Sequence, residues 1–156
     1  MLNLDGLKEF LKGCFLMKGK LNGDIINLYE IDTEKIKIMS LLYKYDSSFD
    51  GERFLNLNDE EMITFLDKEI ESFSKNLDNN LKDVLAYSIN LQFIIDKSSI
   101  FLDEYAYSKN KINLMKALFK NDSSFDGEKF LKYDNEELYD LLAVQIDNIL
   151  EDKIIR

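Results

Sequence analysis

A chain of 156 residues with 46% apolar content can bury a substantial core, and 30 acidic against 20 basic side chains leave a formal charge of −10. That charge disfavours direct contact with a nucleic-acid backbone or an anionic membrane, which need clustered Lys and Arg. A single cysteine, Cys14, excludes an internal disulfide, and the lack of histidine removes the commonest general base, zinc ligand and pH switch.

Taken in chain order, apolar spacing predicts a first helix over about 3–18, with Leu7, Phe10, Leu11, Cys14, Met17 and Leu21 on one side. After the break KGKLNGD comes IINLYEI, which suits either a helical turn or the second strand of a hairpin with CFLMKGKL. EKIKIMSLLYKY predicts a helix whose buried face holds Ile36, Met39, Leu42 and Tyr43, and it stops at DSSFDGERFL, residues 46–55. The next helix opens at NDEE: Asn58 as N-cap and Glu61 three residues on form a capping box, followed by a stripe of Met62, Phe65, Leu66, Ile70 and Phe73.

Leu77, Leu81, Val84, Ser88, Leu91 and Ile95 predict the helix that follows, and IFLDEYAY after DKSS carries the same ambiguity as IINLYEI. KINLMKALFK then presents Ile112, Met115, Leu118 and Phe119 before DSSFDGEKFL at 122–131. DNEE restates the capping box with Asp134 and Glu137, ahead of Leu138, Leu141, Leu142, Ile146 and Ile149.

The second series of elements echoes the first. Residues 35–74 and 111–150 align without a gap, with 18 of 40 positions identical, and LDGLKEFL at 4–11 resembles LDNNLKDVL at 77–85. The expectation is a mainly α protein made of two tandem helical repeats, 1–76 and 77–156, packed into one body, with room for a short β-hairpin in each. One strip differs: Ile63, Asp67 and Lys68 become Tyr139, Ala143 and Val144. Cover by the other repeat or internal packing is the expected reason; an apolar contact for a partner or a homodimer is the other reading.

Asp46, Ser48 and Asp50 followed by Gly51, and Asp122, Ser124 and Asp126 followed by Gly127, are the first half of a calcium-loop pattern. Over these six residues each string resembles EF-hand and dockerin loops, and the resemblance implies calcium as a ligand of those side chains. The pattern departs from the family afterwards: the closing acid is replaced by Leu57 and Tyr133, and the inner hydrophobic position by Arg53 and Lys129. The same string reads better as a helix connector, with Asp46 or Ser47 capping a turn, Gly51 at positive φ, and Phe49, Phe54 and Leu55 plugging the gap.

Cys14 lies on the apolar face of its helix and reads as core. Neither a P-loop nor a dinucleotide glycine fingerprint is present, and no carboxylate pair is singled out by an apolar setting. The exclusions and the charge point to a non-enzymatic acidic protein without a cofactor: an inhibitor, immunity-type or anti-defence protein that occludes a basic nuclease, toxin or nucleic-acid-binding effector. Its partner-binding acids are expected at Asp59, Glu60, Glu61, Asp67, Asp134, Glu136, Glu137 and Asp140, where they could imitate a nucleic-acid backbone. No apolar run reaches the ~18 residues of a membrane span, and MLNLDGLKEF has acid where a signal peptide has base, so a cytoplasmic protein is expected.

Overall fold

A computed structural model describes residues 3–25, 31–97 and 104–153. They form helices α1 (Leu4–Leu21), α2 (Ile31–Tyr45), α3 (Gly51–Leu55), α4 (Asp59–Phe73), α5 (Asn79–Lys97), α6 (Glu104–Asn121), α7 (Gly127–Lys132) and α8 (Asn135–Lys153). No strand occurs among the described residues, and no helix among them is long and apolar enough to cross a membrane.

Two helices are central. α1 packs on α2, α4 and α5, while α5 packs on α6, α8 and α1, so each carries two outer helices and their mutual contact joins the sets. A helix with neighbours on three sides must be apolar over most of its circumference. Both central helices are: Leu7, Phe10, Leu11, Cys14, Phe15 and Met17 are buried in α1, and Val84, Leu85, Ile89, Leu91, Ile94 and Ile95 in α5. The outer helices bury a narrower stripe at four-residue spacing, Met62, Leu66 and Ile70 in α4 and Leu138, Leu142, Ile146 and Leu150 in α8.

The largest apolar cluster spans both sets, since Ile146 and Leu150 of α8 belong to it together with Phe10, Leu11 and Ile38. Each fully buried Leu, Ile or Phe side chain contributes about 1.5–3 kcal/mol. At the edge of this seam Lys8 pairs with Glu151 at 2.6 Å and Lys12 with Asp147 at 3.5 Å, both partly exposed and therefore of small energetic weight.

Helix starts follow from local chemistry. The Asn58 side chain accepts from the Glu61 N–H at 2.8 Å while Glu61 accepts from the Asn58 N–H at 3.0 Å, and Asp134 and Glu137 do the same at 2.8 and 3.1 Å. Both capping boxes form as the sequence predicts, each satisfying two orphan amides. Asp50 and Asp126 cap the short helices α3 and α7, accepting from Arg53 and Lys129 N–H groups at 3.1 Å.

Three expectations need correction. The strand that a hairpin requires at 14–21 is helix, because CFLMKGKL lies within α1; it has no β-branched residue, and Leu, Met and Lys favour a helix. Residues 89–97 and 104–107 are likewise helical, in α5 and α6, and the remaining parts of the ambiguous segments, 26–30 and 98–103, lie outside the described residues.

The buried face of α2 is rotated from the expected one: Glu34, Ile38 and Leu42 point inward, whereas Ile36 is 61% exposed. α6 shows the same rotation, with Asn110, Leu114 and Ala117 inside and Ile112 exposed. Both helices carry two apolar stripes, and the buried one contains a polar residue that pattern reading passes over. Tyr43 and Phe119, from the other stripe, instead lie edge-on to Phe49 and Phe125 at 5.6 and 5.3 Å.

Gly51 does not take a positive φ; among the described residues only Gly23 does. Its lack of a side chain serves close packing, since a Cβ there would come within 2.9 Å of Met39 Cε and closer still to the Tyr43 hydroxyl.

Candidate partner-binding surface

The repeated string has the same local geometry at both places. The Asp46 carboxylate accepts from the Ser48 N–H at 3.0 Å and its hydroxyl at 2.6 Å, and Asp122 accepts from Ser124 at the same two distances. Those bonds hold the carboxyls of Asp46 and Asp122 below the usual aspartate range, the serine hydroxyl being the larger cause. Asp50 and Asp126, rather than Asp46 or Ser47, cap the next helices.

The side chains of both calcium-type sets, Asp46, Ser48 and Asp50 and Asp122, Ser124 and Asp126, are therefore engaged with their own loop. No group of three or more His, Cys, Asp or Glu able to hold a metal occurs among the described residues. Leu55, expected to plug the gap, is 48% exposed; Phe54 is buried, with Phe49 packed against the same cluster.

All eight expected partner-binding acids are exposed. Their situations differ. Glu61, Asp134 and Glu137 are engaged in the capping boxes, and Asp67 pairs with Lys18 at 2.5 Å. The side chains of Asp59, Glu60, Glu136 and Asp140 make no hydrogen bond or ion pair among the described residues and are the ones open to a partner.

Beside Glu60 the structure forms a groove of about 740 Å³ between the 46–50 loop, α3 and the start of α4. Phe49, Phe54 and Phe65 line it with ring centroids 5.3 to 6.4 Å apart, and Asp46, Asp50, Glu60 and Glu61 stand around them, with Arg53 and Lys68 the basic members. Aromatic faces under an acidic rim attract a cation in two ways, through the ring quadrupole and through the carboxylates.

In the second half Tyr133 occupies the position of Leu57 and lies edge-on to Phe130 at 6.5 Å. The apolar strip there is split: Tyr139 and Ala143 are half-buried, as internal packing requires, but Val144 is 60% exposed. Val144 and Leu141 border a shallow groove of about 310 Å³ with Val84, Leu118 and Ile149.

Cys14 is fully buried, and burial pushes its thiol well above the usual range, so it is core. Apart from Ser88, the sequence reading missed the buried polar residues. Lys20 pairs with Glu34 at 3.5 Å with both side chains shielded from solvent, and lies 4.9 Å from the centroid of the Phe93 ring. Asn90 and Asn110 are buried between α5 and α6. The available signal was register: Lys20 follows Cys14 and Met17 at three-residue steps, and Glu34 precedes Ile38 by one turn.

Comparison with protein-family models, with curated proteins and with solved structures finds no match to this chain.

Proposed function

We propose that this protein acts without chemistry of its own, by binding a basic protein and covering its working surface. The observation that carries the reading is the groove beside Glu60, where aromatic rings and carboxylates meet at one exposed place. A lysine or arginine of the partner would enter it. Asp59, Glu136 and Asp140, on α4 and α8, would supply long-range attraction, which raises encounter rate and selects for positive partners. A nuclease, a toxin or a nucleic-acid-binding effector has the required basic cleft, and the proposed place of action is the cytoplasm.

We infer as well that the body is one helical unit of about 76 residues laid down twice, 1–76 and 77–156. Support comes from the order of three long helices and one short one in each half, and from helix starts at Gly51 and Gly127, and at Asp59 and Asn135, that keep the sequence offset.

The test uses affinity capture from the native cell at low and high salt, with the wild type and with a variant carrying Asp59→Lys, Glu60→Lys, Glu136→Lys and Asp140→Lys. These side chains make no hydrogen bond or ion pair among the described residues, and those in the first turns of α4 and α8 add only a modest helix-dipole contribution, so the variant should remain folded, which circular dichroism checks. The wild type should retain a basic protein at low salt and release it at high salt, and the variant should not retain it. Recovery of no partner at low salt, or equal recovery by both proteins, would overturn the reading.

A further inference from the structure

The first half closes one corner of its bundle with three rings of its own. Phe10 of α1, Tyr45 of α2 and Phe73 of α4 meet there, Phe73 lying edge-on to Phe10 at 5.7 Å and to Tyr45 at 5.5 Å. At the aligned places in the second half stand Val84, Asn121 and Ile149, three smaller side chains. These three line the shallow groove of about 310 Å³ between α5, α6 and α8 that Leu141 and Val144 border. A helix joint that loses ring volume either collapses or keeps a hollow, and this hollow is open at the surface.

The charge at the joint changes together with its volume. Lys68 and Glu69 of α4 align with Val144 and Gln145 of α8, and every described residue that lines the groove is uncharged. Acids and lysines, by contrast, surround the groove beside Glu60. Leu141 and Val144 are exposed, so an apolar ridge stands next to the apolar hollow.

What covers this face follows from its chemistry. A partner selected by charge gains nothing from an uncharged lining. A second copy of this chain does, because two molecules of formal charge −10 approach closely only through a face without carboxylates. The polar members suit a two-fold contact as well. Asn121, Gln145 and Asn148 are amides, and an amide both donates and accepts, so it can pair with its own copy, as two carboxylates or two ammoniums cannot. Gln145 Nε2 donates to the Ser88 hydroxyl at 2.8 Å, which leaves its Oε1 to accept, and the Asn121 and Asn148 side chains make no hydrogen bond among the described residues.

We propose that two copies of this chain associate through this face about a two-fold axis, the ridge of Leu141 and Val144 in each copy entering the groove of the other. A two-fold axis makes such a contact reciprocal, so one face supplies both ridge and hollow. The inference stands apart from the partner-binding reading, because Asp59, Glu60, Glu136 and Asp140 line no part of this groove.

Sedimentation velocity between about 5 and 500 μM tests it, over the range in which a dimer of modest affinity forms and dissociates. The wild type should pass from monomer to dimer, and the Val144 methyl resonances should shift with concentration while those of Ile36 stay in place. Val144→Lys, which copies Lys68 of the first half at an exposed position, should weaken the dimer on the order of tenfold or more, since it sets an ammonium from each copy into an apolar contact. Ile36→Lys makes the same change of charge at an equally exposed apolar residue of α2 and should leave association unaltered. A wild type that stays monomeric to the top of the range, a dimer not weakened by Val144→Lys, or one weakened as much by Ile36→Lys would overturn the proposal. So would a monomer whose Val144 methyls shift on adding Nα-acetyl-phenylalaninamide, a result that assigns the groove to a side chain of a different protein.

Discussion

Glu34 in α2 and Asn110 in α6 each stand one residue before the aligned stretches of the two halves, 35–74 and 111–150, and both are buried, yet they close their helix joints differently. Between α1 and α2 a charged pair is used, Lys20 with Glu34; between α5 and α6 a neutral pair is used, Asn90 with Asn110. The charged joint is held by attraction that must offset the desolvation of two ions, so it tolerates no loss of one member. The amide joint involves no ionic desolvation, but it leaves one buried acceptor, Asn90 Oδ1, over. Similar helix packing is therefore compatible with a stabilising lock in one half and an incompletely satisfied polar site in the other.

The largest expected effect comes from exchanging the two residues. Glu34→Asn removes the carboxylate that faces the buried Lys20 ammonium and Asn110→Glu introduces a buried carboxylate, so each should lower stability by about 3–5 kcal/mol in urea unfolding. Replacing both members of the charged joint, Lys20→Met with Glu34→Leu, should return stability to within about 1 kcal/mol of wild type. If Glu34→Asn proved as mild as the double change, the two joints would not differ in the way described.

The helix connectors sharpen the comparison at a smaller scale. Gly51 lies under Met39 and the Tyr43 hydroxyl, whereas a Cβ at Gly127 would meet Phe119 and Met115 no closer than 3.1 Å. Gly51→Ala should cost about 1 kcal/mol because Tyr43 must swing outward, and Gly127→Ala should cost less. Introducing Tyr43→Phe first, which copies the second half, should remove most of the difference in thermal unfolding.

The smallest effect is electrostatic and should be equal in both halves. The folded carboxyls of Asp46 and Asp122 titrate below their unfolded value of 3.8, so their contribution to stability is present above that pH and is lost as pH falls through the lower folded value. Ser48→Ala and Ser124→Ala should each raise the neighbouring aspartate toward its ordinary value in a carboxyl NMR titration. Unequal responses would show that the two connectors differ in solution despite their shared hydrogen bonds.

Much of this was legible because it is local. The capping boxes at Asn58 and Asp134 depend on residues three apart, and the stripes of α4 and α8, apart from the exposed Leu141, on one periodic pattern, so neither needs knowledge of the rest of the chain. The rotated faces of α2 and α6 were not legible, since Ile36 and Ile38 are equally apolar and only the position of α1 decides which one is covered. The exposure of Asp59, Glu60, Glu136 and Asp140 followed from their type, but the Phe49, Phe54 and Phe65 groove beside one of them came from the approach of α3 to α4.

Sequence alone determined a helical chain with its helix starts, its internal echo and its acidic exterior, because backbone capping, residue periodicity and charge are properties of neighbours along the chain. Tertiary structure decided which polar residues went inside: Lys20 meets Glu34, and Asn90 meets Asn110, across helix pairs. A buried polar group is tolerated only where another element brings a partner to it, and that encounter is not written into either segment by itself.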